Sequence, residues 1–303
     1  MRRTALFRQL IESPKILVLP GAHDALSLKL IERAGFQAAA AGGYSATASL
    51  IGQPDVAQLG MSEMAELYAR LCDCTELPLL ADADTGYGGP TNVARTVRAY
   101  ERAGVAALFI EDQVSPKRCG HMEGKQVVPA AEMVAKLKAA LDARNDEAMI
   151  VMARTDARAV EGLDAAIERA ELYREAGADL LFVEAPLSVE ELRRVCSEIA
   201  GPCLANNVEG GKTPVLPAQT LEEMGFAAVT WPVSASYAVA HALRDLYGTL
   251  LRDGTTAAQF NRMLDFESFN TLIGLPTVRA QEDAWREEAQ DLVDGFGGRR
   301  EGD

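Results

Sequence analysis

Two aspartates spaced two residues apart, Asp82 and Asp84, follow a short apolar run and give the first chemical signal in the sequence. Side chains at this spacing share a face of a strand, and two carboxylates on one face repel unless a cation or a proton lies between them. A third carboxylate, Glu111, ends the next apolar run. Because oxygen ligands with room for water and substrate suit Mg²⁺ or Mn²⁺, these residues predict a divalent metal site. The alternative is a salt-bridge network to Arg154 or to lysine residues.

The second chemical signal is Cys119, which lies in the glycine-containing segment 113–127. Lys117, Arg118 and His121 stand beside it, and neighbouring positive charges are expected to lower the pKa of a thiol toward neutrality. A thiol that titrates near the working pH can act as a general acid or base. The alternative is a bystander thiol, but the polar setting of this cysteine favours a catalytic role.

Eight short apolar runs alternate with longer amphipathic stretches and must position these residues. The runs are 16–20, 36–41, 77–84, 105–112, 148–155, 179–185, 202–206 and 226–232. Runs that are apolar on both faces are typical of buried parallel strands. Glycines just before four of the runs predict helix ends, at Gly35, Gly104, Gly177 and Gly225. The alternation predicts an α/β fold, a (β/α)8 TIM-type barrel. A doubly wound open sheet is the alternative, although no glycine-rich phosphate motif follows the first run.

Polar residues end one predicted strand after another, at the edge where a parallel barrel carries its chemistry. They are Asp82 with Asp84, Glu111, Arg154, Glu184 and Asn206. The loop after the second run adds Gly42, Gly43 and Tyr44, with Asp55 further along. Any one of these could be a structural polar group, but their agreement over five strand ends predicts one site.

The domain organisation predicted is a catalytic barrel over residues 1–253 followed by a helical extension over 254–295. The extension is interrupted at Pro276 and exceeds what a barrel needs, so we expect it to pack on a partner subunit. The polar tail, 296–303, is expected to be disordered.

Composition limits the classes of partner and the compartment. The 303 residues carry a net charge of −14, which argues against nucleic acid or an anionic membrane as a partner. The sequence contains neither a signal-peptide core nor the ~20 apolar residues of a membrane span. Five cysteines are an odd number without a disulfide pattern, so we expect reduced thiols and a cytoplasmic location.

Several of these segments together make the sequence recognisable. They are GQPD at 52–55, ADADTGYG at 81–88, IEDQ at 110–113, PKRCGH at 116–121, MARTDA at 152–157 and PVSA at 232–235. On these stretches the chain resembles the isocitrate lyase / phosphoenolpyruvate mutase superfamily over nearly its whole length. The KRCGH segment is the most specific and resembles the branch that cleaves carbon–carbon bonds. The resemblance therefore implies a TIM-type barrel and a lyase that acts on a small carboxylate.

The resemblance also implies a metal set for Mg²⁺, with Mn²⁺ as a possible replacement. Asp84 would ligate the ion directly, while Asp55, Asp82 and Glu111 would hold it through water. The ion would bind the 2-hydroxyl and the carboxylate of the substrate.

The remaining roles implied by the resemblance concern substrate binding and proton transfer. Arg154 and backbone amides near Gly42, Gly43 and Tyr44 would hold the carboxylate that leaves in a 2-oxo acid, and Glu184 would position that end. Gly120, His121 and Asn206 would bind the second carboxylate. Cys119 would protonate the departing carbanion. The base that removes the hydroxyl proton is unassigned, with Tyr44 as a candidate.

The substrate is narrowed by residues after the strand that ends in Asn206. In the tricarboxylate lyases that the chain resembles, hydroxyl residues at this place help to bind a third carboxylate. Here Val208 offers no hydrogen-bond donor and Glu209 would repel an anion, so the resemblance favours a 2,3-dimethylmalate-like diacid cleaved to pyruvate and a second acid. The alternative is 2-methylisocitrate, for which Asn207, Lys212 and Thr213 would have to supply donors.

Other activities and the state of assembly stay open at this point. A carboxyphosphonoenolpyruvate mutase, an oxaloacetate decarboxylase or hydrolase, and a non-catalytic scaffold are further alternatives. The resemblance also implies a homotetramer in which C-terminal helices are swapped between paired subunits.

Overall fold

The computed structural model describes residues 1–297, which divide into two compact units: Met1–Ala240 and the described residues from His241 onward. The first unit contains eight strands: β1 (Leu17–Pro20), β2 (Ala39–Ala41), β3 (Leu79–Asp82), β4 (Ala107–Glu111), β5 (Ile150–Thr155), β6 (Leu180–Val183), β7 (Leu204–Asn206) and β8 (Ala228–Trp231). All pairings are parallel, in the orders β1-β8-β7 and β2-β3-β4-β5-β6. Parallel bridges Gly21–Ala40 and Leu181–Cys203 join the two sheets. The strands therefore close into the predicted barrel.

Helices separate the strands as the amphipathic stretches predicted. They are α1 (Arg3–Ile11), α2 (Ala25–Arg33), α3 (Gly43–Ile51), α4 (Met61–Asp73), α5 (Pro90–Ala103), α6 (Ala130–Ala143), α7 (Ala157–Val160), α8 (Leu163–Glu175), α9 (Val189–Glu198), α10 (Ala218–Met224) and α11 (Ser234–Asp253). The glycines predicted to end helices all have positive φ; Gly104, for example, has φ +90° at the end of α5. An L-residue with a side chain is strained in this conformation, so glycine suits these stops.

The barrel interior is filled by alternate residues of the strands. Leu80, Phe109, Met152, Phe182 and Leu204 belong to one buried cluster, while their strand neighbours pack against the helices. This alternation is the period of two that a strand imposes. Along each strand, every second residue faces the barrel interior, and the last of these inward-facing residues lies at the carboxyl edge.

Helix α1 contributes to the same interior cluster, which the sequence did not predict. Phe7 is fully buried, and Ile11 is 3 % exposed. Arg8 donates to Asp179, which precedes β6, at 2.9 Å. Because Asp179 lies at the amino-terminal edge of the sheet, α1 covers the barrel at the end away from the polar strand ends.

The second unit contains the rest of α11, a 3₁₀ helix at Ala257–Arg262, α12 (Phe266–Leu272) and α13 (Leu275–Gly297). Pro276 lies in the first turn of α13, where its missing amide hydrogen removes no helical bond. The start of the tail predicted to be disordered, 296–297, belongs to α13, and its remainder, 298–303, lies outside the described residues. No helix within residues 1–297 is long and apolar enough to cross a membrane.

Candidate active site

The inward-facing positions at the carboxyl ends of five strands are polar. Strand β3 ends in Asp82, β4 in Glu111 and β7 in Asn206, while Arg154 lies on β5 and Glu184 directly follows β6. Each is two residues beyond an inward apolar side chain, so the pleat directs it toward the same edge. The convergence predicted from the sequence is therefore confirmed by the register of the barrel.

A cavity of about 240 Å³ lies over these strand ends. The predicted residues that line it are Gly42, Gly43, Tyr44, Asp55, Asp82, Cys119, Gly120, His121, Arg154, Glu184 and Asn206. Two predicted metal ligands, Asp84 and Glu111, do not line the cavity; they are 9 % and 0 % exposed. The structure thus brings the predicted site together, with two carboxylates buried beside the cavity.

A lysine ammonium lies within the predicted acidic cluster. Lys117 Nζ is 2.6 Å from Asp55 Oδ2 and 2.8 Å from Asp84 Oδ1. Burial alone would lower the pKa of Lys117, but Asp84 and Glu111 outweigh it and raise that pKa well above its usual value. The alternative of ion pairs to lysine, weighed from the sequence, is present in this structure.

The backbone at Asp84 shows that one prediction was wrong, namely that Asp82 and Asp84 lie close together because they share a face of one strand. Strand β3 ends at Asp82, and Asp84 has φ +47°, so the shared face of a continuing strand does not apply. Instead, Asp82 Oδ1 accepts the Asp84 amide at 2.8 Å, which forms a tight turn. Burial raises the pKa of Asp84 to about 7, opposed by Lys117 and reinforced by Asp82. The left-handed conformation of a non-glycine residue costs about 1–3 kcal/mol and is typical of functional sites.

Gly43, at the start of α3, packs so closely against the acidic cluster that a side chain there would crowd the carboxylates. A Cβ there would lie 3.1 Å from Asp82 Oδ2 and 3.4 Å from Asp84 Oδ1. Its amide donates to Asp82 Oδ2 at 2.8 Å, so this N–H is engaged by the protein. The expectation that the Gly43 amide holds substrate is therefore not met in this structure. Gly42, before the first turn of α3, and Tyr44, within that turn, still line the cavity.

The donor set fits a hard divalent cation. Glu111 Oε1 is buried without a hydrogen-bond partner, while Asp84 Oδ1 is paired with Lys117 and Glu111 Oε2 lies 3.3 Å from Arg154. Burial raises the pKa of Glu111 well above its usual value, although Arg154 and Lys117 oppose this. Oxygen ligands of this kind suit Mg²⁺. Within residues 1–297, no three His, Cys, Asp or Glu side chains converge as a ready metal cage, so water or substrate oxygens would have to complete the coordination.

Arg154 is the central cation on the other side of the cavity. Its Nε and Nη2 donate to Asp156 at 3.0 and 3.1 Å, and Nη1 lies 3.3 Å from Glu111 Oε2. Its guanidinium also lies 5.2 Å from the centre of the Phe182 ring. The planar fork is therefore fixed before any substrate enters, as a carboxylate-binding arginine requires.

Glu184 joins Arg154 to the residues expected at the second carboxylate. Its Oε1 is 3.1 Å from His121 Nε2, and its Oε2 accepts from Asn206 at 3.3 Å and lies 3.5 Å from Arg154. Burial alone would raise the pKa of Glu184, but Arg154 and His121 lower it to about 2. Glu184 is thus an anion that orients the three groups around it, His121, Asn206 and Arg154.

The segment 113–127 carries Cys119 to the cavity, but the expected cause of thiol activation is wrong. Burial raises the pKa of Cys119, and Glu184 adds to this rise. The nearby cations are engaged elsewhere: Lys117 pairs with carboxylates, and Arg118 donates to the Glu123 carbonyl at 3.0 Å. A thiol with a raised pKa keeps its proton, which is the state that a general acid needs.

The loop after β7 contacts the Cys119 segment directly. His121 Nδ1 accepts the Lys212 amide at 3.0 Å, and the Lys212 ammonium pairs with Glu123. A Cβ at Gly211 would lie 2.8 Å from His121 Nδ1, so only glycine leaves room for the imidazole. Since Nδ1 accepts a hydrogen bond, the neutral ring carries its proton on Nε2, toward Glu184.

Near the end of β7, Val208 forms an apolar part of the cavity wall. Val208 lines the cavity and is 8 % exposed. Asn207 is turned to Leu216, donating to its carbonyl at 2.8 Å, and Glu209 accepts from Ser234. The residues considered as donors for a third carboxylate, Asn207, Lys212 and Thr213, are not among those that line the cavity.

The sequence did not identify Lys117 as the lysine of these ion pairs, and it did not point to Tyr237, which also lines the cavity. The rings of Tyr237 and Tyr44 meet edge to face with centroids 6.4 Å apart. Tyr237 follows the PVSA motif at the start of α11, which was the available signal. It also missed that Lys125 is buried against Asp156.

A carboxylate cluster, a fixed arginine and a cysteine thus meet at the carboxyl edge of a closed barrel, where barrel enzymes carry their active sites. The family described as phosphoenolpyruvate phosphomutase matches residues 7–251. The chain is 46 % identical over 282 residues to 2,3-dimethylmalate lyase of Eubacterium barkeri, covering 93 % of this chain and 98 % of that protein.

Two further comparisons agree on the family. The chain is 47 % identical over 249 residues to 2-methylisocitrate lyase of Bacillus subtilis (strain 168), covering 82 % of each. A crystal structure of a 2,3-dimethylmalate lyase superposes with a TM-score of 0.88 at 35 % identity, covering 96 % of both chains. The chain belongs to the phosphoenolpyruvate mutase / isocitrate lyase superfamily, and its relatives are named as lyases and mutases.

Proposed function

We propose that the protein is a Mg²⁺-dependent lyase that cleaves a 2,3-dimethylmalate-like 2-hydroxy diacid to pyruvate and propionate. The observation that supports this substrate is Val208, whose side chain lines the cavity and offers no hydrogen-bond donor to a third carboxylate. Of the three candidate donors, Asn207 bonds to Leu216, Lys212 pairs with Glu123, and Thr213 is not among the residues that line the cavity. Burial of an unpaired anion is costly, whereas a methyl group fits this wall.

The residues around the cavity support the cleavage as follows. Arg154 and the amides near Gly42 and Tyr44 bind the carboxylate next to the hydroxyl-bearing carbon. Tyr44 is the candidate base for the hydroxyl proton. As that proton leaves, the carbon–carbon bond breaks, and its electron pair becomes the enolate of the second acid. Cys119 gives its thiol proton to that carbon.

The second carboxylate and the metal complete the proposed arrangement. Gly120, His121 and Asn206 surround the second carboxylate, where hydrogen-bond donors stabilise the charge that develops on the enolate. Mg²⁺ would be held by Asp84, with Asp55, Asp82 and Glu111 acting through water. When bound, the ion lowers the pKa of the substrate hydroxyl and neutralises charge on the 2-oxo acid.

Pyruvate release with Mg²⁺ tests this proposal across 2,3-dimethylmalate, 2-methylisocitrate and oxaloacetate, with glyoxylate release from isocitrate as a parallel assay. We expect the highest kcat/KM for 2,3-dimethylmalate. A preference for 2-methylisocitrate would keep the reaction class and overturn the argument from Val208. Activity on oxaloacetate alone would contradict the proposed carbon–carbon lyase.

We further propose a cytoplasmic homotetramer in which the C-terminal helices pack on a partner subunit. Large apolar side chains of the second unit support this assembly, since Leu251 is 90 %, Phe266 87 % and Leu292 70 % exposed. Light scattering of the full chain measures the mass of the assembly, which should be four times that of one chain; the mass of a single chain would contradict the proposed tetramer.

A further inference from the structure

Lys125 has no assigned role, yet its side chain is almost completely buried close to the cavity. The side chain is 1 % exposed, and Nζ lies 2.7 Å from Asp156 Oδ1. The same ammonium donates to the Gly120 carbonyl. A buried lysine pays a large desolvation cost, so these two acceptors must hold it in place. Lys125 thus connects the Cys119 segment to the residue that follows β5.

The bond to the Gly120 carbonyl fixes the direction of the next amide. A trans peptide is planar, and its C=O and N–H point in opposite directions. The ammonium draws the Gly120 carbonyl toward Asp156, so the His121 N–H points the other way. Hydrogen bonding from that N–H acts to lower the pKa of the Cys119 thiol, against the larger effect of burial. The position of this one peptide plane therefore depends on Lys125.

Asp156 links the same lysine to the carboxylate-binding arginine. Asp156 is fully buried and accepts from Arg154 through Nε and Nη2 as well as from Lys125. Gly120 lies close to this arginine, since a Cβ there would be 2.5 Å from Arg154 Nη2. One carboxylate thus sets the position of the guanidinium and of the segment that carries the thiol.

We propose that Lys125 is a positioning residue that ties the Gly120 carbonyl to Asp156 and thereby holds the His121 N–H on the Cys119 sulfur. It acts through the peptide plane and does not touch substrate. The catalytic meaning of this device rests on the proposed role of Cys119. The contact itself can be tested without substrate, so its failure is distinguishable from failure of the proposed function.

The test is the rate at which iodoacetamide alkylates Cys119 in the substrate-free full chain, measured against pH by mass spectrometry of the Cys119 peptide. In Lys125→Met the sulfur loses a correctly placed N–H donor, which destabilises the thiolate. A hydrogen bond to a charged group is worth about 1.5–3 kcal/mol. At pH values below the midpoint of the wild-type pH–rate profile, we therefore expect the alkylation rate to fall at least about tenfold. The midpoint should move to higher pH. A general loosening of the segment would instead scale the whole profile and leave its midpoint in place.

Two further variants keep the test decisive. Lys29 also donates to a backbone carbonyl, that of Cys74 at 3.2 Å, but Cys74 lies before β3 at the opposite end of the barrel. Lys29→Met is therefore the matched control and should leave the profile unchanged. If Lys125→Met does not fold, Lys125→Gln retains a donor and should give a smaller upward shift. An unshifted midpoint in either folded Lys125 variant would overturn the proposal.

Discussion

Val208 offers the sharpest test of how the cavity chooses its substrate. Threonine has nearly the shape of valine but replaces one methyl group with a hydroxyl, so Val208→Thr adds a donor to the apolar wall with little change of volume. A net hydrogen bond to a charged group is worth about 1.5–3 kcal/mol. At 1.4 kcal/mol per factor of ten, this corresponds to about 10- to 100-fold in relative kcat/KM. We therefore expect the ratio for 2-methylisocitrate over 2,3-dimethylmalate to rise by that factor.

The assay is pyruvate release from each substrate under identical Mg²⁺ conditions. Val215→Thr is the matched control, because Val215 is 46 % exposed and is absent from the residues lining the cavity. Its ratio should equal that of the wild type. The reasoning would be refuted if Val208→Thr folded normally and left the ratio unchanged.

Three further variants test the proposed acid, the metal ligand and the barrel core. In Cys119→Ser, turnover should fall by about 10² or more while substrate binding by calorimetry survives, because a general acid is lost; near-normal turnover would remove the thiol from the mechanism. Asp84→Ala should abolish activation by Mg²⁺ together with activity, and retained Mg²⁺-stimulated turnover would contradict the ligand assignment. Phe7→Ala should lower the free energy of unfolding by about 3–5 kcal/mol, because a fully buried ring leaves a cavity. Chemical denaturation measures this loss, and an altered KM in the folded enzyme would show that α1 influences the distant site.

The barrel could be predicted from sequence because its signals are local. Each strand coincides with an apolar run, and the helix-ending glycines need their positive φ whatever the tertiary context. Once the barrel was assumed, the position of each strand end at the same edge placed the side chains of Glu111 and Arg154 close together. Helix α1 was missed because its packing over the amino-terminal end of the barrel depends on contacts distant in sequence.

The electrostatics of the site could not be predicted in the same way. Proximity in sequence to Lys117 and His121 suggested a lowered pKa for Cys119, but both side chains contact carboxylates from other elements. Burial then determines the direction of the thiol pKa. The left-handed turn at Asp84 was hidden for a similar reason, since it depends on the Asp82 side chain accepting its amide.

The central claim is the cleavage of a substituted malate with protonation of the released carbanion. Proton NMR of 2,3-dimethylmalate turnover with Mg²⁺ in D₂O tests it most directly, because both products and the site of protonation are read in one sample. The account predicts equimolar pyruvate and propionate, with one deuterium at C2 of the propionate. Unchanged 2,3-dimethylmalate in the presence of an enzyme that turns over oxaloacetate would contradict it.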